Sequence, residues 1–340
     1  MPPDADPQPD PAPSSTPRPA RPTPEPFRYA KAAELTRPEP TPEFLESAAA
    51  LGVEFEPGEL DRLATFLALL LETNTRTNLT AIKDPADAWT RHILDSLTLL
   101  PMLADLPDGA RVIDIGSGGG LPAIPLAIVS PHLRFTLLEA TGKKCDFLRH
   151  AIAELELANA DVLQARAEAA GQDRGDRQPD GSRLHATREA FDAATARAVG
   201  PLAVIAELTI PLVKPGGLVI LVKGQRADEE LEEAKQALHL LGAAHAGTVD
   251  TPTGRVVVLE KLRVTPPDLP ETGRRTQTGP ARHAQARRSR PARQAPQART
   301  LPPLRAPDDR IHRSTRLDFP PYRRTGPKPG SPRGTRPTPA

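Results

Sequence analysis

The spacing of apolar side chains predicts two amphipathic helices in the first third of the chain. In residues 59–72, leucines recur at helical spacing, at Leu60, Leu63, Leu67 and Leu70. Asp84-Pro85 provides an N-cap followed by a first-turn proline. Apolar side chains then recur at the same spacing up to Pro101, at Trp89, Ile93, Leu97 and Leu100. Two such helices indicate a small helical unit ahead of the main domain.

From residue 111 onward, short apolar runs alternate with helical stretches. The runs predict strands at 111–115, 134–139, 161–165, 191–197 and 217–223. Between them the pattern predicts helices near 121–129, 142–158, 201–213 and 227–241. This alternation is typical of a parallel sheet covered by helices on both faces. A further strand is expected at 255–262, and the polar residues 171–189 are expected to form an inserted loop.

Composition divides the chain into a body and two tails. Of the 42 prolines among 340 residues, fourteen lie in residues 1–42 and sixteen in residues 265–340. Such segments bury too little apolar surface to offset the entropy of ordering, so both are predicted to be disordered tails. The domain between them, 43–264, is predicted to comprise a helical extension at 43–105 and an α/β core at 106–264.

Charge divides the chain in the same way. Residues 265–340 hold seventeen Lys and Arg against five Asp and Glu, whereas the whole chain has a net charge of only +1. An acidic body therefore precedes a basic tail. Two explanations of the tail stay open, which are non-specific binding to a polyanion and a compositional bias without a selected role.

Cysteine usage and hydropathy exclude several classes of protein. The one cysteine, Cys145, rules out an intramolecular disulfide and a cysteine-based zinc cluster. No apolar run reaches the length of a membrane span, and the proline-rich start has no signal-peptide core. We therefore expect a cytoplasmic protein with no membrane contact and no metal site.

The most specific local signal is the glycine-rich segment that follows the first predicted strand. The strand ends at Asp114 and continues through Gly116 and Gly118 into a helix at Leu121. Glycines at a strand-to-helix turn let a ligand approach the backbone closely. Glu139 ends the next strand, twenty-one residues after Gly118, where a carboxylate can accept hydrogen bonds from two ribose hydroxyls.

Two nucleoside cofactors use this geometry. A dinucleotide fingerprint needs a third glycine where this chain has Leu121. S-adenosylmethionine has no phosphate, and its ammonium and sulfonium groups are favoured electrostatically beside Asp114. The residues therefore favour S-adenosylmethionine, with a dinucleotide and a ligand-free glycine connection as the alternatives.

Several motifs recur in the order and spacing of a known family. They are Asn78-Leu79-Thr80, Arg91-His92-Ile93-Leu94-Asp95-Ser96, Asp114-Ile115-Gly116-Ser117-Gly118 with Leu121-Pro122, Leu137-Leu138-Glu139 with Gly142-Lys143-Lys144, and Lys223-Gly224-Gln225. Over about residues 43–262 the chain resembles the RsmG (GidB) family of bacterial small-subunit ribosomal RNA methyltransferases. The resemblance implies an α/β fold with a Rossmann-like, S-adenosylmethionine-dependent methyltransferase sheet. It also implies an enzyme that methylates N7 of a guanine in 16S ribosomal RNA.

Matching the motifs also implies a set of cofactor-binding residues. These are Gly116, Gly118, Leu121, Glu139, Ala167, Glu168 and Arg197. The chain departs from the family twice: Ala123 stands where the family usually has glycine, and the 171–189 insert lengthens the stretch between Glu168 and Arg197.

The implied reaction explains why no catalytic residue stands out. Guanine N7 has an in-plane lone pair and attacks a methyl group without prior deprotonation, so proximity and orientation suffice. No general base is needed, and we expect no catalytic side chain. Cys145 is interpreted as a small helix residue rather than a nucleophile.

Three residues are candidates for contacts with the RNA. Arg91 and His92 are expected either to face the cofactor and position RNA, or to form a helix salt bridge from Arg91 to Asp95 and a surface hydrogen bond from His92 to Ser96. Lys143 is either a solvated lysine or a phosphate contact.

The expected partner is 16S ribosomal RNA or the 30S subunit, with added contacts from the basic tail, and the protein is expected to be a monomer. Two other classes of function stay open. A methyltransferase with a small-molecule or protein substrate would leave the Asn78-Leu79-Thr80 and Arg91–Ser96 motifs unexplained. A non-catalytic nucleotide-binding or RNA-assembly protein would be distinguished by a failure to bind S-adenosylmethionine.

Overall fold

The computed structural model describes residues 28–177, 183–197 and 200–270. Its first elements are helical: α1 spans Pro42–Ala50 and α2 spans Glu59–Asn74. The Thr41 side chain caps α1 by accepting a hydrogen bond from the Phe44 backbone N–H. The predicted leucine stripe of α2 faces the core, with Leu63, Leu67 and Leu70 fully buried.

The second predicted helix is broken into short pieces. These are α3 at Pro85–Ala88, a π-helical turn at Trp89–Leu94, α4 at Asp95–Leu97 and α5 at Leu100–Leu103. Asp84 caps α3 as predicted, by accepting from the Asp87 N–H. The predicted stop at Pro101 is wrong, because this proline lies in the first turn of α5, where its missing N–H has no helical partner to lose.

Strands and helices then alternate through the α/β core. The strands are β1 Arg111–Ile115, β2 Arg134–Glu139, β3 Ala160–Gln164, β4 Asp176–Arg177, β5 Arg183–Leu184, β6 Phe191–Arg197, β7 Val213–Lys223, β8 Ala243–Thr251 and β9 Gly254–Lys261. The helices are α6 Ala123–Val129, α7 Gly142–Glu154, α8 Ala167–Gln172, α9 Leu202–Thr209 and α10 Ala227–Leu241.

One seven-stranded sheet runs through the domain in the order β3-β2-β1-β6-β7-β9-β8. The five strands from β3 to β7 are parallel, whereas β9 is antiparallel to both β7 and β8. The strand order reverses between β1 and β6. Strands β2 and β3 lie on one side of this point, and strands β7, β9 and β8 lie on the other. Such a switch point opens a crevice at the carboxyl ends of the strands, where ligands bind in open α/β sheets.

Helices cover both faces of the sheet, as predicted. The helical extension, α6 and α7 pack with Val112, Phe135 and Ile220 on one face. Helices α8, α9 and α10 pack with Ile113 and Val219 on the other. Alternate residues of each strand therefore enter separate cores.

Strand β8 was not anticipated from the sequence. Its segment, AAHAGTVDT, lacks a run of large apolar residues, and its backbone is ordered by pairing along β9 at the edge of the sheet. The predicted connection from Thr251 to Gly254 is the turn between these two strands.

The described residues make contacts with the domain on the outer side of both predicted boundaries, 43 and 264. Before residue 43, the Tyr29 ring stacks on His150 of α7 with centroids 4.9 Å apart, and the Ala32 N–H donates to Glu154 at 2.6 Å. After residue 264, the chain is held by Arg188. A few side-chain contacts thus order segments whose average composition predicts disorder; the remainder of both tails lies outside the described residues.

The predicted insert is also more structured than a loop. Its first residues complete α8, and β4 pairs with β5 as a two-stranded antiparallel ribbon. Residues 178–182 lie outside the described part of the chain. Within the described residues, no helix is both long enough and apolar enough to cross a membrane.

Candidate active site

The glycine-rich turn lies at the switch point between β1 and β6. The N–H groups of Gly116 and Ser117 both donate to the Leu138 carbonyl of β2, at 2.8 and 3.2 Å, which fixes the turn over the end of the neighbouring strand. Gly116, Gly118 and Gly120 have φ of +70°, +53° and +87°. These left-handed conformations favour glycine.

The glycines of this turn differ in what surrounds them. A Cβ on Gly120 would lie 2.5 Å from Ile124 Cδ1, and one on Gly119 would lie 2.9 Å from Leu70 Cδ1, so a side chain added at either position would force these buried side chains to shift. A Cβ on Gly118 would meet nothing nearer than the Gly116 carbonyl at 3.6 Å. The open side of the turn is therefore at Gly118.

Glu139 joins the end of β2 to this turn. Its Oε2 accepts from the Gly118 N–H at 3.1 Å and its Oε1 accepts from the Thr141 N–H at 2.8 Å. The residue is only 8 % exposed. Each carboxylate oxygen keeps a second lone pair, so the group can still accept from two ligand hydroxyls.

Asp114, at the end of β1, is buried with one oxygen unpaired. Thr195 Oγ1 of β6 donates to Asp114 Oδ1 at 2.8 Å, while Asp114 Oδ2 is buried without a hydrogen-bond partner. Burial raises the pKa of Asp114 to about 7, although the hydroxyls of Ser117 and Thr195 and the charge of Arg197 lower it. Buried unpaired oxygens are costly and rare, and this one lies where a ligand would sit.

The third strand brings the Ala167-Glu168 pair to the same edge of the sheet. The Ala165 N–H donates to the Glu139 carbonyl at 3.1 Å, and α8 begins two residues later at Ala167. Both Ala167 and Glu168 are half-buried and precede the inserted ribbon. The roles of these two residues remain a prediction from the family resemblance.

Arg197 ends β6 and connects the sheet to the helical extension. Its Nη1 donates to the Arg91 carbonyl and to Asp95 Oδ2, both at 3.0 Å, and its Nη2 lies 3.3 Å from His92 Nδ1. The side chain is 16 % exposed. The end of β6 thus brings Arg197 close to both Asp114 and the π-helical turn.

His92 lies inside this cluster and not on its surface. It is 3 % exposed, and its Nε2 lies 2.8 Å from Thr80 Oγ1 of the Asn78-Leu79-Thr80 motif. Burial, followed by the charge of Arg197, lowers the pKa of His92 to about 4, so the ring is neutral near pH 7. Its Nδ1 lies 3.0 Å from the Arg91 backbone carbonyl and 3.3 Å from Arg197 Nη2, so the ring joins the π-helical turn to the end of β6.

The structure contradicts the predicted contacts within the Arg91–Ser96 motif. Asp95 pairs with Arg197 and not with Arg91, and Ser96 is buried, with its hydroxyl donating to the His92 backbone carbonyl at 2.6 Å. Asp95 meets Arg197 because the π-helical turn packs against the end of β6. Spacing along a helix cannot reveal a partner from a distant strand. Arg91 itself has an exposed side chain.

Lys143 is exposed at the start of α7, just after the end of β2. Cys145 is buried in the same helix, where its Sγ donates to the Glu139 carbonyl at 3.3 Å. Burial raises the pKa of this thiol. Trp89 is fully buried against Phe44.

Sequence reasoning missed two polar residues of the site. Thr195 lies inside an apolar strand, and its partner Asp114 is opposite it in the sheet register. Thr253 lies at the tip of the β8–β9 turn and donates a hydrogen bond to Asp95 Oδ1. Neither residue belongs to a motif, so only the pairing of distant segments reveals them.

The seven-stranded sheet, its switch-point glycine turn and the acidic residues at the ends of β1 and β2 define a Rossmann-like methyltransferase. The sequence profile of the family described as rRNA small subunit methyltransferase G (GidB) matches residues 59–255, more than half of the chain. The chain belongs to this family.

Curated relatives agree with this assignment. The ribosomal RNA small subunit methyltransferase G of Sorangium cellulosum is 51% identical over 218 residues, which cover 64% of this chain and 86% of the relative. The protein of the same name from Rubrobacter xylanophilus is 39% identical over 236 residues, covering 67% of this chain and 85% of that one. A solved rRNA methylase from Streptococcus thermophilus is 16% identical with a TM-score of 0.35, and covers 49% of this chain and 95% of its own.

Proposed function

We propose that this protein transfers a methyl group from S-adenosylmethionine to N7 of a specific guanine in 16S ribosomal RNA. Family membership supports the reaction, since the matching family and both named relatives are small-subunit rRNA methyltransferases. The observation that best supports S-adenosylmethionine as the cofactor is the unpaired, buried Oδ2 of Asp114 beside the glycine turn.

The side chains of the site fit this cofactor. Glu139 has two oxygens available to a ribose diol, and Asp114 offers an anion to an ammonium or sulfonium group. The open side of Gly118 allows close approach to the backbone. We assign cofactor binding to the predicted set of Gly116, Gly118, Leu121, Glu139, Ala167, Glu168 and Arg197.

When bound, S-adenosylmethionine supplies an electrophilic methyl group on its sulfonium. The chain then has to orient guanine N7 in line with that group and exclude water, which is the contribution expected from proximity and orientation. No proton has to be removed from N7. Because no general base is required, the acidic groups of the site can serve to compensate the positive charge of the cofactor. The thiol of Cys145 is buried within a helix and takes no part.

We propose that Arg91 and Lys143 contact the RNA backbone from the rim of this crevice. Both side chains are exposed, and both belong to segments that border the site, the π-helical turn and the start of α7. His92 is buried on Arg197 and Thr80, so we propose that it acts by supporting Arg197 and not by touching RNA. The expected setting is the cytoplasm, where the 30S subunit or its RNA is the substrate.

Modification mapping tests the proposed function. We expect 16S rRNA from a deletion strain to lack one N7-methylguanosine that the wild-type strain carries, and the intact gene to restore it. The measurement is mass spectrometry of nuclease fragments of 16S rRNA. An Asp114→Ala gene serves as the inactive control, and an unchanged set of N7-methylguanosines in the deletion strain would refute the proposal.

A further inference from the structure

The carboxylate of Asp95 lies between two segments that are distant in sequence. Its Oδ2 accepts from Arg197 at 3.0 Å, and its Oδ1 accepts from the Thr253 hydroxyl at the tip of the β8–β9 turn. The Asp95 side chain is only 10 % exposed. One residue of the helical extension therefore connects β6 to the β8–β9 hairpin at the edge of the same half of the sheet.

Asp95 supplies the negative charge in the cluster around Arg197. The other contacts of the guanidinium are the Arg91 backbone carbonyl and the ring of His92, which is neutral near pH 7. An ion pair with this little exposure is weakly screened by water. Asp95 therefore compensates most of the charge that Arg197 carries into the site.

A second carboxylate competes for the same cation. Asp114 lies at the end of β1, next to β6, and the charge of Arg197 already acts on it. The groups that act on Asp114 are Thr195 on β6, Ser117 on the glycine turn, Glu139 on β2 and Arg197. If Asp95 lost its charge, Asp114 would remain as an anion on which the charge of Arg197 already acts, with its Oδ2 free to accept from the guanidinium.

The turn that carries Thr253 has little freedom to move away. A Cβ on the adjacent Gly254 would lie 2.6 Å from the Lys223 carbonyl of β7, so the turn packs closely on that strand. Register pairing of Thr251 with Gly254 closes the hairpin. Thr253 can therefore hold Asp95 from the side opposite Arg197.

We propose that Asp95 is a positioning residue that, supported by Thr253, holds Arg197 away from Asp114 and so keeps the free Asp114 oxygen available to the cationic end of the cofactor. The inference rests on the proposed use of S-adenosylmethionine and assigns no catalytic step to Asp95. It gives the Arg91–Ser96 motif a function that neither a helix salt bridge nor an RNA contact provides.

The test measures binding of S-adenosylmethionine to the full-length protein by titration calorimetry between pH 6 and 9. We expect Asp95→Asn to weaken binding by about tenfold near neutral pH. It should also move the pH midpoint of binding below that of the wild type, because Arg197 paired with Asp114 stabilises the ionised carboxylate. Asp95→Glu should restore part of the affinity, and Thr253→Val should weaken it less than Asp95→Asn.

Asp192→Asn is the matched control. Asp192 lies at the other end of β6, where it pairs with Lys214 and accepts from the Arg111 N–H. This variant should lower thermal stability without changing the affinity or its pH midpoint. Fluorescence of Trp89, the one tryptophan of the chain, reports whether each variant keeps the helical extension folded.

The outcomes separate the two proposals. A wild-type protein that fails to bind S-adenosylmethionine overturns the proposed function and the inference together. A wild type that binds, with Asp95→Asn unchanged in both affinity and pH midpoint, overturns the inference alone. The losses of affinity from Asp95→Asn and Arg197→Ala should be less than additive in the double variant, because Asp95 acts through Arg197, and fully additive losses would contradict the role of Arg197 as the displaced cation.

Discussion

The buried carboxyl group of Asp114 lowers the stability of the free protein when it is ionised. A fully buried carboxyl group with one unpaired oxygen is unfavourable to ionise, and burial raises its pKa to about 7 from an ordinary value of 3.8. Because the folded pKa lies above the unfolded one, this group favours folding at low pH, and that contribution is lost as the pH rises through about 7. A cationic ligand would reverse the cost by favouring the ionised form.

The Asp114→Asn variant should therefore show the effect of this ionisation on stability and on cofactor binding separately. In the free protein, we expect the melting temperature of the wild type to fall more than that of the variant between pH 6 and pH 8. We also expect wild-type affinity for S-adenosylmethionine to rise with pH through about 7, and the variant to bind about a hundredfold more weakly with no such rise. Calorimetric melting and titration measure the two effects, and parallel melting curves for both proteins would contradict the assignment of charge to Asp114.

At the scale of elements, the glycine turn combines a packing role with a binding role. Gly120 lies against Ile124 of α6, while Gly118 has an open side and donates its N–H to Glu139. The same short segment therefore anchors a helix to the sheet and forms one wall of the site.

Two alanine substitutions should distinguish these roles. Gly120→Ala places a Cβ 2.5 Å from Ile124 at a φ of +87°, so we expect a loss of about 3 kcal/mol in the free energy of unfolding. Gly118→Ala meets only the strain of its positive φ, so it should lose about 1 kcal/mol and weaken cofactor binding more than tenfold. Urea unfolding and titration calorimetry check both, and equal stability losses would argue against an open side at Gly118.

At the scale of elements, the sequence predicted most of the sheet. Strands β1, β2, β6 and β7 are runs of apolar residues, and burial on both faces makes such runs visible. Strand β8 and the breaks within the Pro85–Leu103 region were not visible, because edge pairing and a π-helical turn depend on neighbours and not on local composition. The predicted glycine turn and Glu139 do lie together, whereas the predicted Arg91–Asp95 pair does not form.

For the whole molecule, the described domain extends beyond the boundaries that composition suggests. The guanidinium of Arg188 donates to four backbone carbonyls, those of Gly171, Leu269, Thr265 and Pro266, at 2.6–2.9 Å. These bonds fasten residues 265–270 against α8 and the insert. The described part of the domain therefore includes residues 265–270.

Two truncations should measure what residues 265–270 contribute to stability. A chain ending at Pro270 should melt like the full-length protein, because it keeps all four acceptors of Arg188. A chain ending at Val264 should lose about 2 kcal/mol of unfolding free energy, since three of the four carbonyls disappear and the buried guanidinium is left partly unsatisfied. Chemical denaturation measures both, and identical stability of the two truncations would show that the Arg188 contacts contribute nothing.

The truncation at Pro270 also tests the basic tail. If the tail binds RNA through its phosphates, methyl transfer to 30S particles should weaken in its absence and depend less steeply on salt. An unchanged rate and an unchanged salt dependence would support the compositional explanation instead.

The class of fold, the family and the cofactor turn could be predicted from the amino-acid sequence, because these depend on local features: apolar runs, glycine spacing and a carboxylate at the end of a strand. Only the tertiary structure showed that Asp95 faces Arg197, that Thr195 bonds Asp114 and that Thr253 reaches the site from a hairpin 158 residues further along the chain. Such contacts depend on how distant segments pack, and charge and hydrogen bonding between them have no signature in sequence spacing. The net charge of +1 is similarly uninformative by itself, since it is the sum of an acidic body and a basic tail.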